Sequence, residues 1–198
     1  MLNISLIDYD TSIKLAFDKI EQNQVLSSWK DAQSSGLLEK GILQYLEVPV
    51  NGCFKDIQKK TVKDAQMAIN KIWSIGGRTG WYYGNWLWEI RGILDQIFKG
   101  VGMRRGRKSI TDIYPGEALD FWRVLVADKE KKTLLLYAEM KVPGEAWLEF
   151  KIDANNVLTQ TATFRPLGLQ GRIYWYLMWP FHLFLFKGMI NNIAKSNS

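Results

Sequence analysis

Few side chains in this sequence could carry chemistry. His182 is the only histidine and Cys53 the only cysteine. A serine or cysteine nucleophile with an imidazole base would have to use His182, and no Gly-x-Ser-x-Gly turn is present to present the nucleophile. The imidazole titrates near neutrality and could serve as a general base. Its setting, Trp179-Pro180-Phe181-His182-Leu183-Phe184, better suits a packed, hydrogen-bonded ring. One histidine and one cysteine cannot complete a zinc ligand set, so no metal is expected. Nor is a cofactor: Gly100-Val101-Gly102-Met103-Arg104-Arg105-Gly106 follows a helical pattern instead of a strand, and its glycine spacing is not that of a dinucleotide fingerprint.

Glu139 and Glu149 are the carboxylates most able to act as a pair. Between residues 132 and 141 the even positions Leu134, Leu136, Ala138 and Met140 are apolar. Between 145 and 153 they are Ala146, Leu148, Phe150 and Ile152. Two strands joined by a turn near Val142-Pro143-Gly144-Glu145 keep both sets on one face. That register sets Met140 opposite Leu148, Glu139 opposite Glu149 and Tyr137 opposite Lys151. In a dry cavity, repulsion between the two carboxylates would raise one pKa and create an acid–base pair. On a wet face Lys141 and Lys151 would neutralise them.

Two further groups are candidates for binding. Arg104, Arg105 and Arg107, beside Lys99 and Lys108, would hold a phosphate or an acidic headgroup, or else form a solvated edge strand. The cluster is too short for a nucleic-acid face, so no nucleic-acid partner is expected. Nine Trp, eight Tyr and nine Phe make the chain rich in aromatic rings. Trp81, Tyr82, Trp86, Trp122, Trp147, Tyr174 and Tyr176 are the candidate lining for a hydrophobic small molecule, since such pockets are mostly apolar and aromatic with a few polar groups.

The elements that must position these residues follow from periodicity. Residues 10–22 read as a short amphipathic helix with Ile13, Leu15, Ala16, Phe17 and Ile20 on one side. A strand is expected over 53–62. A helix capped by Asp64 follows, with Ala68, Ile69, Ile72 and Trp73 on one face and Gly76-Gly77 at its end. A second helical pattern covers 81–99, with Trp81, Tyr82, Trp86, Ile90, Ile93 and Leu94 near a 3.6-residue period. Beyond Gly100 the period becomes two, giving strands at 101–109, 118–127, 132–141, 145–153 and 157–165. The stretch from Leu169 to Lys195 closes the chain as a long helix, apolar all round and therefore expected to be buried. Its apolar run, interrupted by Pro180 and His182, is short for a membrane span of about 20 residues, so integral insertion is not expected. The order specifies an α+β fold, a curved antiparallel β-sheet wrapped around the long C-terminal helix.

Length and composition agree with that reading. With 198 residues, 47% hydrophobic and 23% charged, the chain can build one well-filled core. The division expected is an N-terminal appendage at 1–45 and a main domain at 46–198. A net charge of +6 favours anionic surfaces and ligands. A single cysteine, and no basic segment followed by an apolar core within Met1–Asp10, point to a reducing, cytoplasmic setting.

Several stretches also resemble a known family. They are Gly77-Arg78-Thr79-Gly80-Trp81-Tyr82-Tyr83-Gly84-Asn85-Trp86, Asp120-Phe121-Trp122-Arg123-Val124, Ala138-Glu139-Met140-Lys141-Val142-Pro143-Gly144-Glu145-Ala146-Trp147, Leu158-Thr159-Gln160-Thr161-Ala162 and Gly168-Leu169-Gln170-Gly171-Arg172-Ile173-Tyr174-Trp175-Tyr176. Together they resemble the bacterial domain of unknown function found C-terminal to NAD(P)-binding, short-chain-dehydrogenase-like domains. That domain is similar to the START/polyketide-cyclase (SRPBCC-like) superfamily. The resemblance covers about residues 45–198, and residues 8–32 are similar to the tail joining the two domains. It implies a helix-grip fold, a cavity for an apolar ligand and an NAD(P)-binding reductase-like domain as partner. It implies no catalytic residues, and the 198 residues contain no dinucleotide-binding domain. A cyclase- or hydratase-like enzyme, an accessory domain of an NAD(P)-dependent reductase, and a membrane-associated or protein-interaction module are the alternatives to ligand binding.

Overall fold

The computed structural model describes Asp8, Thr11, residues 47–97, Arg107, Ser109 and residues 112–195, excepting the side chains of residues 91 and 93–97. Apart from Asp8 and Thr11, the helix expected at 10–22 and the tail 8–32 lie outside the described residues, as does most of the strand expected at 101–109.

The described elements are β1 (Phe54–Thr61), α1 (Ala65–Trp73), α2 (Asn85–Ile97), β2 (Ala118–Leu119), β3 (Trp122–Asp128), β4 (Thr133–Ala138), β5 (Gly144–Ile152), β6 (Val157–Pro166) and α3 (Gly168–Ala194). The strands form one curved antiparallel sheet in the order β1-β6-β5-β4-β3-β2. Consecutive strands pair from β2 to β6, and β1 closes the far edge against β6. Period-two patterning puts Leu134, Leu136, Leu148, Phe150, Ile152 and Leu158 on the inner face, all buried. On the outer face Leu125, Leu135, Tyr137 and Trp147 form a second, smaller cluster against Val48. Leu125 reaches it because a register shift between Val124 and Val126 bulges β3.

The helices cover the inner face. Asp64 accepts from the Met67 N–H at 3.0 Å and caps α1, whose Ala68, Ile69, Ile72 and Trp73 turn inward. Lys71 on α1 donates to the carbonyls of Asn192 at 3.1 Å and Lys195 at 2.6 Å, satisfying the C-terminal end of α3. The opposite end of α3 is fixed by close approach. A Cβ at Gly171 would overlap the Pro143 carbonyl oxygen and the backbone of Pro166, so only glycine lets the helix settle there.

Three sequence expectations change. The β4–β5 register places Leu136 opposite Leu148, Leu135 opposite Glu149 and Tyr137 opposite Trp147. This is four residues away from the expected pairing and leaves Glu139 beyond the strand end. The second helix starts at Asn85, not Trp81, so its inward residue is Trp88 while Trp86 and Ile90 are exposed. Finally, α3 is not buried all round. Gly171, Trp175, Leu185, Phe186, Met189, Ile190 and Ile193 face the protein, whereas Leu169, Ile173, Tyr176, Leu177, Phe181, Leu183 and Phe184 face outward.

Candidate functional site

Where β1 and β6 run under α3, the inner face of the sheet changes from apolar to polar. Antiparallel pairing sets Phe54 opposite Phe164, Asp56 opposite Ala162 and Gln58 opposite Gln160. Alternation puts all six on the face toward the helix. Trp175 of α3 stacks on Phe54 at 5.3 Å and on Phe164 at 5.8 Å, nearly parallel to both. Asp56 and Gln160 lie one and two inward positions further along, at 4% and 0% exposure. Gln58 donates its amide to Asp56 Oδ1 at 2.6 Å. The second carboxylate oxygen of Asp56 and both amide atoms of Gln160 are buried without a hydrogen-bond partner.

Such groups are expensive. Each buried, unsatisfied polar atom costs on the order of 1–3 kcal/mol, so the arrangement calls for a function or a bound group. Burial pushes the Asp56 carboxyl above its usual range, against the opposing hydrogen bond from Gln58. His182 lies further along the same side of α3, edge-on to Trp175 at 5.1 Å and beside Phe186 at 5.1 Å. His182 is half-buried, and its ring neighbours are the aromatic groups of its own helix.

The raised Asp56 pKa has a sign that can be measured. A carboxyl that titrates higher in the folded than in the unfolded chain contributes stability below the unfolded value, near 3.9. That contribution is lost as pH rises through the folded value. Asp56→Asn should therefore raise the melting temperature at pH 7 by about 2–4 °C and flatten the fall in stability above pH 4. Some slope will remain, because burial raises Asp120 in the same direction. Melting curves of both proteins from pH 4 to 8 check this, and an unchanged pH profile would refute it.

Outside the aromatic stack lies an open cleft of about 500 Å³, lined by Gly52, Cys53, Phe54, Pro166, Leu169, Arg172, Ile173 and Tyr176. Phe54 is shared between cleft and interior, and Tyr176 meets it edge-on at 5.7 Å. The side chains of the lining are apolar apart from one guanidinium, one thiol and the Tyr176 hydroxyl. Burial raises the Cys53 pKa, opposed by Arg165 and Lys55, so the thiol is a weak nucleophile at neutral pH.

The residues singled out in the sequence are dispersed. Trp81 and Trp122 are packed in the core with Trp88 and Phe121 and do not line the cleft. Trp147 is on the outer face, edge-on to Tyr137. Trp86 is exposed. Tyr82 donates its hydroxyl to the Lys71 carbonyl at 3.0 Å, and Tyr174 packs on Phe164. Of these seven, Tyr176 lines the cleft.

Glu139 and Glu149 are not brought together. Glu139 forms a two-pronged ion pair with Arg123, at 3.0 and 3.2 Å, while Glu149 pairs across the sheet with Leu135 and Thr161. Arg104 and Arg105 lie outside the described residues. Arg107 is committed to backbone: its guanidinium donates to the carbonyls of Ile75 at 2.8 Å, Trp73, Ser109 and Asp112, closing the end of α1. That is a structural role, not an anion site.

Asp56, Gln160 and Arg172 were missed, although the signal for Gln160 is present. Among the inward positions Leu158, Gln160, Ala162 and Phe164 it is the single polar residue.

A sheet gripping a long C-terminal helix, with a polar strip beneath that helix, defines an α+β domain of helix-grip type. The chain belongs to the family described as protein of unknown function (DUF2867), whose model matches residues 52–189. No curated protein matches it. Among solved structures it is similar to ginseng major latex-like protein 151 from Panax ginseng, at 11% identity and a TM-score of 0.38, covering 73% of this chain and 97% of that one. It is also similar to norcoclaurine synthase from Thalictrum flavum, solved with dopamine and hydroxybenzaldehyde, at 9% identity and a TM-score of 0.38, covering 75% and 94%.

Proposed function

We propose that the domain binds an amphipathic small molecule between the β1–β6 edge and α3. The apolar body lies against Phe54, Leu169, Ile173 and Tyr176. A hydrogen-bonding end reaches past the Trp175 stack to Gln160 and Asp56, and Arg172 favours a ligand with an anionic group. The observation that carries this reading is Gln160, fully buried with both amide atoms lacking a partner on an otherwise apolar face. A ligand hydroxyl or carbonyl would satisfy it, and leaving it unsatisfied has no structural benefit.

Gln160→Leu separates the two roles. It should stabilise the free protein by about 1–3 kcal/mol, since the unsatisfied amide is removed, and it should abolish the ligand-induced shift in melting temperature. Cys53 gives a second readout, being the only thiol in the chain and part of the cleft lining. Its labelling at mildly alkaline pH should slow when a hydroxylated medium-chain carboxylate is added, and Arg172→Ala should weaken that protection about tenfold. Absence of protection by any member of a library of lipid and polyketide-like acids would refute the proposal.

We further assign an NAD(P)-binding reductase-like domain as the partner that uses this ligand. The stretches quoted for the family resemblance support this. Titrating the domain into such a reductase, with and without the bound acid, tests it.

A further inference from the structure

The outward side of α3 is apolar where a helix on a water-soluble surface would be polar. Leu169, Ile173, Tyr176, Pro180 and Leu183 recur at spacings of four and three, so they form one stripe along the helix. Leu177, Phe181 and Phe184 widen it. Leu177 is 63% exposed, Phe184 54% and Phe181 49%. The stripe is distinct from the inward side, which Trp175, Phe186, Met189 and Ile193 bury against the protein. Single exposed apolar side chains are ordinary, but a contiguous patch of this kind marks a contact surface.

The charges on α3 indicate what the surface meets. Its sequence, GLQGRIYWYLMWPFHLFLFKGMINNIA, contains no acidic residue. Its cations are Arg172 and Lys187, both exposed, three residues inside or beyond the two ends of the patch. They are about 22 Å apart at 1.5 Å per residue. Packing two copies of this face together would set cation near cation in either orientation, with no carboxylate on the helix to relieve it. An anionic lipid surface complements both features. Apolar side chains enter the headgroup–acyl boundary, Tyr176 and Trp179 suit that boundary with their polar tips, and the two long cations reach back to phosphate. Among the described residues no helix is long and apolar enough to cross a membrane, so the geometry is that of a helix lying flat.

We infer that the outward face of α3 docks the protein on anionic membranes, with the helix in the plane of the interface. The surface contains Leu169, Arg172, Ile173 and Tyr176, which also line the cleft, so docking would open the cleft toward the acyl layer.

The test is flotation of the full 198-residue chain with vesicles of phosphatidylcholine alone or with about one-third phosphatidylserine. Co-flotation is expected with the anionic vesicles, at least tenfold weaker with the neutral ones, and weakened again by about 0.5 M salt, which screens the two cations. Phe181→Glu and Lys187→Glu should each reduce it at least tenfold. Neither residue lines the cleft, so protection of Cys53 by a soluble ligand should be unchanged in both variants. That comparison separates failure of docking from failure of ligand binding. Circular dichroism of the variants should match the parent, because both positions are exposed. Absence of co-flotation with anionic vesicles would overturn the inference. So would flotation that the two variants leave unchanged, or a self-associated parent that Phe181→Glu converts to monomer, which would assign the face to a second copy.

Discussion

Trp81→Ala should destabilise the protein by about 3–5 kcal/mol, a large share of the 5–15 kcal/mol that holds a typical domain folded. Three losses coincide at this residue. Trp81 is fully buried, so truncation opens a large hole in a core where Trp88, Phe121 and Trp122 pack around the indole at 5.3–6.2 Å. Its indole N–H donates to Asp120 Oδ2 at 3.0 Å, and that carboxylate is itself buried. Asp120 also receives the Gly77 N–H at 3.2 Å, so the same group closes the glycine loop that follows α1. Removing the indole leaves the carboxylate short of a donor in low dielectric, where the cost exceeds that of an ordinary lost hydrogen bond. Urea unfolding of the variant measures the total. Trp81→Phe should recover most of the volume but not the hydrogen bond, and so fall between alanine and the parent. A Trp81→Ala protein within 1 kcal/mol of the parent would refute this account of the core.

This loop also shows where the sequence stops being legible. Trp81 and Tyr82 continue the apolar pattern of the helix after them, yet both precede it. Tyr82 has a positive φ of 61°, and the Trp81 N–H is held by the Asn85 side chain at 2.9 Å. Counting the helical period from Trp81 shifts the phase and turns Trp86 inward, where the structure has Trp88. The β4–β5 register fails for a different reason. Alternation fixes which side chains share a face, but any even offset preserves that assignment. The apolar sets were therefore placed correctly on one face while the pairing was four residues out. A tight turn at Val142–Glu145 was expected, whereas β4 ends at Ala138 and β5 starts at Gly144, leaving a longer connection.

The helix and the polar strip differ again. An all-round apolar composition predicts burial on every side of α3, but it does not say which sides the protein covers, and the outward one is exposed. Gln160 was visible as a polar break in an inward pattern. That it lies opposite Gln58, on the same face as Asp56, was not, because β1 and β6 are about a hundred residues apart in sequence and their pairing is a property of the folded sheet.

Glu139 is where the enzymatic and structural readings predict opposite kinds of result. The carboxylate meets Arg123 through two hydrogen bonds, with side-chain exposures of 5% and 3%, and Arg123 also donates to the Gly116 carbonyl at 2.6 Å. Glu139→Ala leaves a guanidinium buried without its counter-ion, which should cost about 3–5 kcal/mol. The bond to Gly116 keeps it from being larger. Replacing both partners by apolar groups of similar volume, Arg123→Met with Glu139→Leu, removes the stranded charge together with the pair. The double variant should recover at least half of that loss and fall short of the parent by about 1–3 kcal/mol, the unsatisfied Gly116 carbonyl contributing. Chemical denaturation of the parent, both single variants and the double variant completes the cycle, and the coupling it yields isolates the pair from its surroundings. A proton-transfer residue would give another pattern. Glu139→Gln would then leave stability nearly unchanged, and the double variant would be no more stable than Glu139→Ala. With the carboxylate engaged on both oxygens by one guanidinium, the recovery in the double variant is the expected result.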